Sequence, residues 1–453
     1  MKEQFVISIW KSSLILLKKT TCSRRLCFFY FLFSLSFPMM LFSGETKLLE
    51  FGQLVDGTGK VLKNAWVLVE KDRIGKVTTD STEIMPLENI EKINLSNYTA
   101  IAGLIDVHTH LTYYWDQTPG TNPWTQGDER SPFITVFLAQ ENARKILETG
   151  VTTVRDLGAF DPKSCERMDI AMRDLINQGK MVGPRMFVCG YALLPTTFIP
   201  QKDSPEPLWG QADGVDEILR VIRREIAAGA DVIKMFASTG SADDVTGYQI
   251  YTDEEIEAAV KATQVLGKRI AVHSYGPEAA RVAILAGANS IEHATDLDNE
   301  TIQEMVKRGT FYVPTIDHNR YYVEHADEYG YGSEVINNLN AFIERNLETA
   351  RKAYKAGVHF AMGSDALFTM FGENTRELGW FIKAGMTPQE ALHAATINGA
   401  TLLGMENELG KIAPGYYADI VAVEGNPLKD IKVVIDQVKW VMKAGQVVVD
   451  KTP

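Results

Sequence analysis

Two histidines two residues apart close an apolar run in Gly103-Leu104-Ile105-Asp106-Val107-His108-Thr109-His110. Residues i and i+2 of a strand point to the same side, so both imidazoles can turn toward one ion. One such pair is equally compatible with ordinary strand histidines. The decoration recurs, however: Arg269-Ile270-Ala271-Val272-His273 and Ser290-Ile291-Glu292-His293 each end an apolar run in histidine, and Phe360-Ala361-Met362-Gly363-Ser364-Asp365 ends one in aspartate. Imidazole nitrogens with a carboxylate oxygen and no thiolate suit zinc or manganese in a catalytic site with an open position. Lys234 is the odd residue, because Asp231-Val232-Ile233-Lys234-Met235-Phe236 is a buried-strand pattern with a cation inside it. A buried ammonium is costly unless it is paired, neutral or modified. An ion pair with a nearby acid is one reading. The other is a lysine of lowered pKa, carboxylated by carbon dioxide, whose carbamate bridges two metals as a glutamate would.

Such residues need a frame that gathers strand ends. Across 99–405, short β-branched runs alternate with amphipathic helical stretches, the pattern of parallel strands joined by helices. Eight strands are expected to end near His110, Leu157, Cys189, Phe236, His273, His293, Val313 and Met362, which makes a closed (β/α)8 TIM-like barrel the leading fold. The ligand candidates then fall at the C-terminal ends of the strands, where barrel active sites lie. Thr252-Asp253-Glu254-Glu255 and Thr387-Pro388-Gln389-Glu390 fit the capping box that starts a helix. Irregular insertions are expected at Leu193–Gly214, Ala237–Tyr251 and Thr315–Ser333. They bring Tyr248, Tyr251, His318 and Arg320 to the active face as candidate substrate contacts, whereas His359 and His393 read as structural. Residues 47–98 and 406–453 carry short alternating runs with tight turns, including Lys443-Ala444-Gly445-Gln446, and are expected to form a small composite β-sandwich domain from both chain ends.

The chain has 453 residues with 45% hydrophobic and 23% charged, enough for a large core. A formal net charge of -12 and no stripe of Lys and Arg argue against a nucleic-acid partner and for a small molecule. Residues 1–46 differ from the rest: Lys18, Lys19, Arg24 and Arg25 precede an apolar run from Leu26 to Phe42. That order reads as a signal peptide or N-terminal anchor, which would export the protein to a periplasmic or extracellular location and touch membrane only through this segment. Cys165 and Cys189 remain in the body, as separate thiols or as a disulfide.

From about Leu48 to Val449 the chain resembles the amidohydrolase superfamily, through His108-x-His110, Lys234, His273, His293 and Asp365 in that order on strands one, four, five, six and eight. The resemblance implies one divalent metal, zinc by expectation, held by His108, His110 and Asp365. It implies a second held by His273 and His293, with N6-carboxylated Lys234 bridging the two. It further implies a homo-oligomer, with Asp365 as the catalytic group that moves a proton to the leaving nitrogen. Val151-Thr152-Thr153-Val154-Arg155-Asp156-Leu157-Gly158, Tyr251-Thr252 and His273-Ser274-Tyr275-Gly276 are similar to the metal-dependent prolidase and Xaa-Arg/Lys dipeptidase branch, with relatives acting on N-acyl amino acids. Deaminase branches carry His-x-x-Glu where this chain has Gly276, which disfavours deamination. The expected reaction is hydrolysis of an amide or peptide bond in a dipeptide or N-acyl amino acid, with Arg320 or His318 gripping a substrate carboxylate. Hydrolysis of a lactone or cyclic amide, deamination, or a non-catalytic binding role are the alternatives.

Overall fold

The computed structural model describes residues 46–84, 90–123, 126, 130–158, 167–197 and 210–453. The expected export segment, apart from Thr46, and Cys165 lie outside the described residues. Among the described residues no helix is long and apolar enough to cross a membrane.

The chain opens with β1 (Thr46–Val55), β2 (Val61–Glu70), β3 (Arg73–Thr78) and β4 (Glu91–Ala102). Seven parallel barrel strands follow: β5 (Leu104–Thr109), β6 (Val151–Asp156), β7 (Arg185–Val188), β8 (Val232–Phe236), β9 (Arg269–Ser274), β10 (Ser290–His293) and β11 (Phe311–Val313). It ends with β12 (Ile420–Val423), β13 (Val438–Lys443) and β14 (Gln446–Asp450). The two ends form one 7-stranded sheet in the order β14-β13-β12-β4-β1-β2-β3. Its seam pairs β4 antiparallel with β12, and Leu49, Phe51, Val67, Leu95, Ile420 and Trp440 bury a common face there. Ala444 (φ 47) and Gly445 (φ 74) make the two-residue turn between β13 and β14, with both central residues at positive φ as the twist of a hairpin demands. β4 runs unbroken across the boundary expected at 98/99 and passes directly into β5.

The barrel strands form two arcs, β5-β6-β7 and β8-β9-β10-β11. On one side main-chain bonds join the arcs: Asp231 N to Val188 O (2.7 Å) and Leu193 N to Lys234 O (2.8 Å). On the other side residues 359–366 lie between β11 and β5, with Tyr312 N donating to His359 O (2.8 Å), Val107 N to Met362 O (2.8 Å) and His110 N to Ala366 O (3.1 Å). The expected eighth strand is therefore a set of single bridges rather than a regular strand. Asp365 breaks it with φ 54. Gly363 is needed for its approach to β5, since a Cβ there would stand 2.4 Å from Val313 Cγ1 and 2.8 Å from His108 Cβ.

Both capping boxes form, at Thr252 with Glu255 and at Thr387 with Glu390. The stretch after β11 departs from the irregular insertion expected of it. It is two short helices, Ile316–Glu324 and Ala326–Tyr329, followed by the long helix Ser333–Ala356. Its start hides from a periodicity reading because Asp317, His318, Asn319 and Arg320 are all buried there, so no apolar stripe marks the inner face.

Candidate metal centre

The barrel mouth brings the separated ligand candidates together. His108 and His110 reach it from β5, His273 from β9, His293 from the end of β10 and Asp365 from the irregular eighth segment, and all are buried. Oδ1 of Asp365 lies 3.4 Å from His108 Nε2 and 3.2 Å from His110 Nε2. Donor atoms of His108, His293 and Asp365 all fall within 4.8 Å of one another. His293 (φ 74) and Asp365 (φ 54) hold backbone conformations unusual for residues with side chains. Such strain costs on the order of 1–3 kcal/mol each and is characteristic of functional sites.

The tautomers follow from the second partner of each ring. His108 Nδ1 donates to Glu292 Oε2 (2.8 Å) and His110 Nδ1 donates to the Gly158 carbonyl (3.1 Å). His293 Nδ1 donates to Thr315 Oγ1 (2.6 Å), whose own proton goes to Pro314 O. Each Nε2 is thus the atom turned to the mouth, the arrangement that outer carboxylate and carbonyl partners impose on metal-binding histidines. His108 and His110 Nε2 meet at Asp365 Oδ1, 3.4 and 3.2 Å away, the spacing of groups that share one cation; Lys234 Nζ lies 3.3 Å from His108 Nε2, and, against burial, the bond to Asp365 raises the His110 pKa. His273 Nε2 is buried without a protein partner. Burial, then the nearby Lys234 charge, pushes the His108 imidazolium down to about 4, and burial drives His273 well below the ordinary histidine range, so both rings are neutral as ligands must be. The donor set therefore fits divalent metal.

Lys234 is fully buried in β8 with Nζ 3.3 Å from His108 Nε2 and 5.1 Å from the centre of the Phe236 ring. Burial pulls its pKa down to about 8. Among the described residues no carboxylate oxygen lies within 4.0 Å of its nitrogen, although the Glu292 and Asp365 charges oppose the effect of burial, so the ion-pair reading has no direct partner here.

Three groups around the ligands escaped the sequence reading. Glu292, beside His293, is buried and accepts from His108 Nδ1, from Ser290 Oγ and from Arg155 Nη2 (2.9 Å). Burial alone would raise its carboxyl, but Arg155 and the His108 bond bring it down to about 2. Arg155, on β6, also donates to Val107 O (2.5 Å) and Ser290 Oγ (3.0 Å), so one guanidinium ties β5, β6 and β10 together behind the ligands. Asp106 accepts from Ser364 N (3.0 Å), Ser364 Oγ (2.6 Å) and Asn374 Nδ2 (3.0 Å), which fixes the turn that delivers Asp365.

Of the four proposed substrate contacts, His318 reaches the centre: Nδ1 donates to the Asp365 carbonyl (2.9 Å) and Nε2 stands 3.5 Å from Asp365 Oδ2. Tyr248 is exposed and lines a cleft of about 390 Å³ with Gln249, Glu278, Asp296 and Arg345. Tyr251 is a correction: its ring is buried and its hydroxyl donates to Ala212 O (3.0 Å), so it packs the loop instead of facing the mouth. Arg320 is a second correction. Its guanidinium is spent on Asp317, Glu324 and Glu373, with Nη2 2.6 Å from Asp317 and 2.8 Å from Glu373, so no fork remains for a substrate carboxylate. Arg320→Met should therefore lower stability by roughly 2 kcal/mol by stranding buried Asp317, while leaving the rate ratio between free-acid and amidated substrates unchanged. Thermal unfolding and paired kinetics check both. Gly276 has a steric reason as well, because a Cβ there would lie 2.3 Å from Gly247 O, so the glutamate of the deaminase pattern does not fit.

The amidohydrolase family matches residues 99–448, which include all six ligand candidates. Over 414 residues the chain is 31% identical to ochratoxinase of Aspergillus niger, spanning 84% of this chain and 82% of that relative. A Xaa-Pro dipeptidase, solved with methionine in its active site, superposes with a TM-score of 0.78 at 30% identity, over 89% of this chain and 99% of its own. A prolidase solved with N-methylphosphonate-L-proline gives 0.79 at 28% identity, over 89% and 100%. The chain belongs to the amidohydrolase family and is a metal-dependent hydrolase of its prolidase-like branch.

Proposed function

We propose that the protein is a binuclear metal-dependent hydrolase that cleaves the amide bond of a dipeptide, of Xaa-Pro or Xaa-Arg/Lys type, or of an N-acyl amino acid. The observation that carries this is the convergence of buried imidazole nitrogens from separate strands on the Asp365 carboxylate. The likeness to a Xaa-Pro dipeptidase and to ochratoxinase supports the substrate class. His108, His110 and Asp365 would hold one ion and His273 and His293 the other, with zinc the ion that suits this donor set. A bound divalent metal supplies water activation, lowering the pKa of water from 15.7 to about 7, and polarises a carbonyl.

The protein's own groups do the rest. Asp365, with His108, His110 and His318 Nε2 at 3.4, 3.2 and 3.5 Å from its carboxylate oxygens, is positioned to accept a proton and return it to the leaving nitrogen. Glu292, Gly158 and Thr315 keep the rings aimed. Lys234, with its pKa near 8, offers an uncharged amine fraction at neutral pH. Its nitrogen can add to the carbon of carbon dioxide, releasing one proton and forming an N-carboxylate that supplies the bridging anion.

Purified protein should release free amino acid from a panel of dipeptides and N-acyl amino acids, and chelation should abolish release. Hydrolysis that survives full metal removal would refute the reading. Lys234→Ala should lose activity that short carboxylic acids partly restore, and loss of metal without any rescue would count against the carbamate. We also propose export through residues 1–46. Fractionation that finds the full-length chain in the cytosol would contradict it.

A further inference from the structure

We propose that the hydroxyl of Tyr322, flanked by Asn319, is the donor that receives the substrate's free carboxylate on the leaving-group side of the scissile bond. This rests on the amide-hydrolase reading above and supplies the carboxylate contact that Arg320 does not.

The helix Ile316–Glu324 is braced from outside. The Glu377 carboxylate accepts from Ile316 N (3.1 Å) and Asp317 N (2.9 Å), and Asp317 takes bonds from Arg320 and from Trp380 Nε1 (2.8 Å). The opposite face groups His318, Asn319 and Tyr322, as spacings of three and four residues on a helix allow, with His318 and Asn319 reaching groups of the metal centre. His318 holds Asp365, and Tyr322 meets the His318 ring edge-on at 4.9 Å. Asn319 bonds the hydroxyl of Tyr275, whose ring stacks on His273 at 5.1 Å.

Within this braced face two polar atoms have no partner: the Tyr322 hydroxyl and Asn319 Oδ1, in residues that are 0% and 1% exposed. Buried polar groups are satisfied in the great majority of cases, and an orphaned donor destabilises the fold that keeps it. The Tyr322 deficit is removed when a ligand brings an acceptor, whereas Asn319 Oδ1, itself an acceptor, calls for a donor such as a substrate N–H. Tyr322 adjoins His318, whose Nε2 stands 3.5 Å from Asp365 Oδ2, and the Asp365 charge acts on its hydroxyl. In a peptide or N-acyl amino acid the carboxylate carbon follows the leaving nitrogen by two bonds, so its partner belongs to the side chains around Asp365. A hydroxyl donating to a carboxylate makes a charge-assisted bond, and the Tyr329 and Tyr331 rings, at 5.0 and 6.1 Å, give the Tyr322 ring an apolar setting in which such a bond is strong.

The test compares wild type with Tyr322→Phe on one N-acyl amino acid and its C-terminal amide, alongside metal content and thermal unfolding. The proposal expects kcat/KM on the free acid to fall by about tenfold to a hundredfold while the amide is unaffected. It expects metal content to stay the same and Tm to hold or rise, because the substitution deletes only an orphaned hydroxyl. An equal loss on acid and amide, or a fall in Tm with the acid preference intact, overturns it by showing that the hydroxyl has a structural partner. The pair is built on the best substrate of the dipeptide and N-acyl amino acid panel; if wild type hydrolyses no member of that panel, the amide-hydrolase reading fails and takes the proposal with it. If wild type hydrolyses both and Tyr322→Phe keeps the acid preference, the proposal alone fails.

Discussion

His273→Ala should fold, lose bound metal, and drop kcat/KM by well over about a hundredfold, the range reached when even an outer partner of a metal ligand is removed. The reasoning is local. His273 Nε2 is buried with no protein partner, so deleting the ring removes a ligand without stranding another protein group. A second neutral ring, His293, sits 4.6 Å away between ring centres and would hold that ion poorly alone. His393→Ala is the control: that histidine lies on the capped helix Pro388–Ala394, and its loss should leave metal content unchanged. Elemental analysis of the two variants beside wild type decides it. Full metal occupancy in His273→Ala would remove this residue from the ligand set.

The largest effect on stability is expected at Arg155. Arg155→Met leaves Glu292 as an unpaired buried carboxylate, and breaking such a pair costs about 3–5 kcal/mol. Adding Glu292→Gln removes the stranded charge and should recover most of that loss. The double variant should still bind metal about tenfold to a hundredfold more weakly, since His108 Nδ1 then faces a neutral amide in place of a carboxylate that fixed its tautomer and raised its basicity. Chemical denaturation measures the first effect and chelator competition the second. An Arg155→Met protein as stable as wild type would show that the pair does not hold β5, β6 and β10 together.

What could be read in advance divides by sequence distance. His108 with His110, His273 and His293 each end an apolar run, so strand parity and flanking hydrophobics were enough to gather them, and Lys234 stood out as a cation inside a buried run. Arg155 and Glu292 gave no such signal. Their partner lies 137 residues away, and each alone looks like a charge on the wet side of a strand. Arg320 was misread for the same reason, because one of the carboxylates that consume it, Glu373, is 53 residues on. The helix at Ile316–Glu324 was invisible to periodicity because it buries polar side chains. Two of those side chains reach Asp365 and Tyr275, and Thr315 just before the helix bonds His293 on β10, so the polar composition follows from position over the site. The eighth strand looks regular in sequence, but the segment makes only single bridges at Phe360 and Ala366, with Asp365 at positive φ between them.

Metal content measured on the same sample that hydrolyses an N-acyl amino acid tests the central claim most directly. The account predicts two divalent ions per chain, lost together with hydrolysis on chelation and regained together on adding zinc. An active sample with no bound metal would contradict it.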